Sequence, residues 1–184
     1  MLSGLNTIVS AVGEIKSVDF FINDIPVDLK VTFFPNQYMN DKLKAKLKGK
    51  SELTWLKQKA KENGIELSRS ESVAIISEKI SAAGHDDILL ELRNKRKDVI
   101  TDAQNNKNEL MTWLYANQGE MRFGAENRLF LVLVDSSDMS QSWKMKRAFE
   151  QIEPAINSYL IKNKKEFSSI DILNVSVYLL SSSV

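Results

Sequence analysis

The chain has 184 residues, 43% hydrophobic and 27% charged, with no cysteine, one histidine and a formal net charge of +1. Such a composition belongs to a globular domain, and the lack of cysteine excludes a disulfide framework and thiolate-held zinc or iron–sulfur, while the single histidine, His85, argues against a multi-histidine metal site or a histidine-based triad within one chain. No run approaches 18 apolar residues and the start of the chain lacks a basic, then apolar, leader, so neither contact with a membrane nor secretion is expected and a cytoplasmic location is the default. Carboxylates, lysines, arginines and hydroxyls must carry any chemistry.

Residues 2–15 predict a short helix, with Leu5, Ile8, Val9 and Val12 on one stripe. Two alternating runs follow: Val18, Phe20 and Ile22, then Ile25, Val27, Leu29, Val31 and Phe33. Asn23-Asp24 stands between them where a tight turn belongs, so the pair predicts a β-hairpin. Residues 40–118 read as helical, punctuated by Gly49, Gly64, Gly84 and Gly119, with helix starts at Ser70-Glu71 and Asp86-Asp87. His85, beside the second of these starts, reads as a capping or surface residue.

Residues 129–134 form a continuous apolar run, the signature of a strand covered on both faces. Ser140 then predicts the cap of a long helix to about Lys164, with Trp143, Ala148, Ile152, Ile156 and Leu160 inward and a kink at Pro154. Residues 170–180 predict a last strand. Trp55, Trp113 and Trp143 read as core anchors rather than base-stacking platforms, and Arg122, Arg128 and Lys144 as solvated surface. No glycine-rich phosphate loop is present, so a nucleotide-binding fold is not supported. The order predicts an α/β sheet with a helical insertion at about 37–126, in a single domain over 1–184.

Charge is unevenly distributed. Residues 42–61 hold eight lysines (42, 44, 46, 48, 50, 57, 59 and 61) and one acid, Glu52. A basic block in an otherwise acidic chain suits a polyanion, which makes Lys42, Lys44, Lys46, Lys48 and Lys50 candidate DNA contacts. The same pattern suits a solvated helix face with Leu43, Leu47, Leu53 and Leu56 turned inward.

The hairpin carries the sharpest chemical signal. With a turn at Asn23-Asp24, paired residue numbers sum to 47, so Phe20 faces Val27 and Asp19 faces Asp28. Directly opposed side chains have Cβ atoms about 4.5–5.5 Å apart. Two carboxylates side by side repel, and a divalent cation between them reverses that sign. Lys30 projects from the same face, opposite the apolar stripe. An oxygen-only donor set suits Mg²⁺, with Mn²⁺ possible in its place, and an adjacent ammonium suits a water poised beside a phosphate.

The segment from Asp19 through Asp28-Leu29-Lys30 resembles the core motif of the PD-(D/E)xK nuclease superfamily, which includes many restriction endonucleases. Asp19 resembles the family's first metal ligand, Asp28 its second acid and Lys30 its lysine. Glu14 resembles the glutamate that many members supply from the preceding helix, and the backbone carbonyl of Leu29 would be a further metal ligand. Val18 stands where the family has a proline. The resemblance implies a restriction-endonuclease-like core (helix, hairpin, strand, helix, strand in a mixed sheet) and a Mg²⁺-dependent endodeoxyribonuclease, with a homodimer as a suitable form for cutting both strands. The alternative is a non-catalytic DNA-binding or subunit-interaction module on the same fold.

Overall fold

The structure, a computed structural model, describes residues 8–11, 18–22, 25–118, 128–136, 138–150, 152–154 and 177–182. The chain divides into two compact units, residues 1–34 with 106–184 and residues 35–105. Helices occupy the described part of the segment expected over about 37–126, and the last of them, α5 (Lys107–Gln118), groups with the first unit. Among the described residues no helix is long and apolar enough to cross a membrane.

The first unit is built on a five-stranded mixed sheet, so the chain is mixed α/β. Its strands are β1 (Ile8–Ser10), β2 (Phe20–Ile22), β3 (Ile25–Phe33), β4 (Arg128–Asp135) and β5 (Val177–Ser182), side by side in chain order. β1, β2 and β3 pair antiparallel, whereas β3, β4 and β5 pair parallel. β1 corrects the helix expected over 2–15. Ile8 and Val9 are β-branched and sit well on a pleat, and a short apolar run fits either period. Residues 2–7 and 12–15 of that segment, Glu14 included, lie outside the described residues, as do residues 23–24, where the turn is expected, and all of 155–176. The last strand runs to Ser182, further than the expected 170–180.

Both faces of β4 are covered, as its apolar run predicts: Phe130 through Asp135 are all buried. On one face Leu131 and Leu133 pack with Met145, and with the partly buried Leu29, Phe33 and Ile152. On the other, Phe130 meets Tyr115 of α5 edge-on, with ring centroids 5.4 Å apart.

After β4 the first part of the expected long helix is instead a 3₁₀ helix, Met139–Arg147. Asp138, not Ser140, caps it: its carboxylate accepts from the Ser140 N–H at 2.9 Å and the Ser140 hydroxyl at 2.7 Å. Three residues per turn place i and i+3 in register, so 139, 142, 145 and 148 make the inward row. Ser142 and Met145 are accordingly buried, and the Ser142 hydroxyl accepts from the Asp135 N–H at 2.9 Å. Trp143, expected in the core, is 61% exposed. Residues 149–150 and 152–154 are helical, Pro154 among them; Ile156 and Leu160 lie outside the described residues.

The second unit is helical: α1 (Asn36–Lys46), α2 (Glu52–Glu62), α3 (Val73–Ala82) and α4 (Asp86–Asn105). Ser51 and Ser72 cap α2 and α3 by accepting from the Thr54 and Ile75 N–H groups, so α3 begins after Ser72 rather than at Ser70-Glu71. α3 ends in a Schellman turn, with Gly84 at φ +81°, its N–H bonded to the Ser81 carbonyl, and the His85 N–H bonded to that of Ile80. His85 is thus a backbone capping residue. Leu43, Leu47, Leu56, Ile76 and Ile80 are essentially fully buried, whereas Leu53, expected inward, sits at the surface of α2.

Candidate active site

The hairpin register is the expected one through Phe20↔Val27, Phe21↔Pro26 and Ile22↔Ile25. It shifts at Asp19, whose N–H donates to the Val27 carbonyl at 2.9 Å, one residue away from the partner that the ladder would give it. Asp19 therefore does not continue the ladder opposite Asp28. Instead its carboxylate reaches β3 directly: Oδ2 accepts from the Leu29 N–H at 2.6 Å. β2 begins only at Phe20, so this N–H lies beyond its ladder, and the Asp19 side chain takes the place of a strand carbonyl. An extended residue points its N–H and C=O to the same edge, so the Leu29 carbonyl faces the edge where Asp19 sits.

Asp28 departs from the exposed outer face expected for it, being only 5% exposed. The Lys30 ammonium lies 3.1 Å from Asp28 Oδ1, and the Lys30 side chain is 52% exposed. Burial of a carboxylate is tolerated when a cation pairs with it. Lys30 thus anchors at the buried acid while remaining open to solvent. On the opposite side of β3, the parallel ladder sets Arg128 in register with Asp28 and Phe130 with Lys30. Arg128, read from sequence as solvated surface, is a neighbour that no local pattern signals, because 100 residues separate it from its strand partner.

The oxygen donors this hairpin offers are the Asp19 carboxylate, held on the Leu29 N–H, the Leu29 carbonyl beside it, and the buried Asp28 carboxylate one residue away on β3. All are oxygens, the set a hard cation takes, and Mg²⁺ commonly binds through one or two carboxylates while keeping several waters. One hydrogen bond to Oδ2 leaves Asp19 with acceptor sites unused. Among the described residues no cluster of three or more His, Cys, Asp or Glu side chains is placed to hold a metal, and Glu14 lies outside them.

The five candidate DNA-contact lysines belong to the helical unit. Lys46 pairs with Asp102 at 2.7 Å, Lys50 bonds Gln58, and Lys42 stands 5.4 Å over the Tyr38 ring. Lys44 and Lys48 are exposed. Positive charge is more concave further along, where a cavity of about 650 Å³ is lined by Lys57, Lys61 and Arg69 together with Glu66. The same unit holds Glu71, whose carboxyl is drawn down from its ordinary 4.5 to about 2, first by the Lys79 ammonium and then by the Ser68 N–H and hydroxyl.

No family model, no curated protein and no solved structure matches the chain. The site stands on its own geometry.

Proposed function

We propose that this protein is a Mg²⁺-dependent endodeoxyribonuclease of the restriction-endonuclease-like class. The observation that carries this reading is the Asp19 carboxylate seated on the N–H of Leu29, the residue that separates Asp28 from Lys30 in the chain, beside the Asp28–Lys30 ion pair. A mixed sheet in which an antiparallel hairpin passes into parallel strands supports the same reading.

Asp19, Asp28 and the Leu29 carbonyl would hold the metal. A bound Mg²⁺ polarises a phosphoryl oxygen and lowers the pKa of a coordinated water. Asp28 fixes the Lys30 stem so that its ammonium presents positive charge at the solvent side of the hairpin. There it orients a water for attack on phosphorus and stabilises the negative charge that develops on the phosphoryl oxygens. The attacking water gives up a proton to bulk solvent and forms the new P–O bond as the bond from phosphorus to the sugar oxygen breaks, and that oxygen leaves with a proton from solvent.

One observation favours the alternative of a non-catalytic module: both hairpin carboxylates already have protein partners. Plasmid cleavage with Mg²⁺, with EDTA and with Lys30→Ala separates the two. Cleavage that requires both Mg²⁺ and Lys30 is the expected result. Binding without cleavage on every substrate would favour the module, and cleavage that survives Lys30→Ala would place the site elsewhere.

A further inference from the structure

The 3₁₀ helix exposes the residue that helical periodicity places in the core. Residues 143 and 146 lie on one outward row and 144 and 147 on the next, while Ser142 and Met145 hold the segment to the sheet. Trp143 is 61% exposed and Phe149, just beyond the segment, 70%. Between them stand Lys144, Lys146 and Arg147, all exposed, and no acid occurs from 139 to 149. The Lys144 ammonium lies over the Trp143 ring, 5.9 Å from its centroid, while more than half of the Trp143 side chain remains open to solvent. Lys146 is held 4.9 Å over the Phe33 ring of β3.

We propose that this surface, Trp143 with Lys144 and Arg147, binds unpaired bases of a nucleic acid strand. Trp143 stacks on a base while the two cations meet neighbouring phosphates. The proposal rests on the nuclease reading for its choice of polyanion, and it adds a form of substrate: DNA with a single-stranded stretch. A lone exposed aromatic is compatible with many partners, but three cations within five residues and no acid favour a polyanion. A membrane surface fits less well, because a lipid-seated helix needs one continuous apolar face and here Trp143 and Lys146 share a row.

The test is fluorescence anisotropy with a labelled oligothymidine in EDTA, across a salt series. Trp143→Ala is expected to weaken binding roughly 5- to 150-fold, the range for loss of one stacked base. Trp143→Phe should keep most of the affinity while losing the quenching of tryptophan emission that accompanies binding. Lys144→Gln with Arg147→Gln should flatten the slope of log K against log salt by about 1.4, at about 0.7 per phosphate contact on a single strand. Circular dichroism controls for folding, and because Trp143 is at the surface its replacement should leave the melt unchanged. Full affinity in Trp143→Ala overturns the proposal. So does failure of the unmodified chain to bind at low salt, including the cases in which Trp143 instead drives self-association on sizing or binding to anionic vesicles.

Without metal the assay is independent of cleavage. A chain that binds through Trp143 but never cuts DNA keeps this proposal and overturns the nuclease reading. One that cuts DNA yet binds without Trp143 overturns this proposal alone.

Discussion

The helical unit meets several of its charges with opposite charges on its own helices, whereas the sheet unit holds Asp28 buried, reaches from Asp19 to Leu29 for a hydrogen bond and exposes Trp143. In residues 35–105 Lys46 meets Asp102, Lys59 lies near Glu62 and Glu91, Lys79 meets Glu71 and Arg96 meets Glu52. Solvent-exposed pairs such as Lys46–Asp102 contribute about 0–1 kcal/mol each, and those of Lys46 and Lys59 lower the free positive charge of a segment that looks strongly basic in sequence. The sheet unit instead keeps its polar groups where a strand ends or a partner strand lies far away in the chain. A dense run of lysines is therefore weaker evidence of a binding face than a few polar groups that the fold holds at unusual positions.

That contrast can be broken in several ways. The largest expected effect is in the sheet unit, where Lys30→Ala should lower Mg²⁺-dependent plasmid cleavage by about 10²–10³, the cost of losing one electrostatic contact to the transition state. Unchanged cleavage rates would remove the hairpin from the chemistry. In the helical unit the largest effect should be on stability alone. Leu56 is fully buried, and Leu56→Ala should cost about 2–5 kcal/mol in urea unfolding, with little effect on cleavage once folded.

Next comes the pH response. The Glu71 carboxyl titrates lower in the folded chain, so its contribution is present above about pH 4.5 and is lost as the pH falls towards 2. Glu71→Gln should remove that part of the acid response, visible as a smaller drop in the urea midpoint between pH 5 and 2 than in the unmodified chain. The smallest effect concerns the lysine block itself. Lys48, two residues beyond α1, has φ +54°, a conformation that favours glycine, so Lys48→Gly should stabilise the fold by about 0.5–1 kcal/mol, the left-handed penalty less the entropy that glycine costs. If Lys48 grips DNA, the same substitution weakens binding; stabilisation with unchanged binding marks it as a turn residue.

Where periodicity was long and repeated, the fold was legible. The hairpin register, the doubly covered β4 and the α4 start at Asp86 all follow from spacing, alternation and capping residues. Asp28 and Lys30 as neighbours were legible for the same reason, since i and i+2 share a face of a strand. The errors lie in short segments. Ile8–Ser10 is too brief for its period to separate strand from helix, and Met139–Arg147 follows a three-residue repeat that looks like a 3.6-residue one over two turns.

Alternation, spacing and capping residues set which stretches could form strands and helices, and a chain without cysteine must build its chemistry from oxygen and nitrogen groups without thiolates. Only the tertiary structure decided that Asp28 is buried, that Arg128 stands beside it in register, that Asp19 leaves its ladder to take the Leu29 N–H, and that Trp143 faces outward. The physical reason is common to all four. Burial and pairing depend on which distant segment covers a face or ends short of it, and local spacing carries no information about that segment.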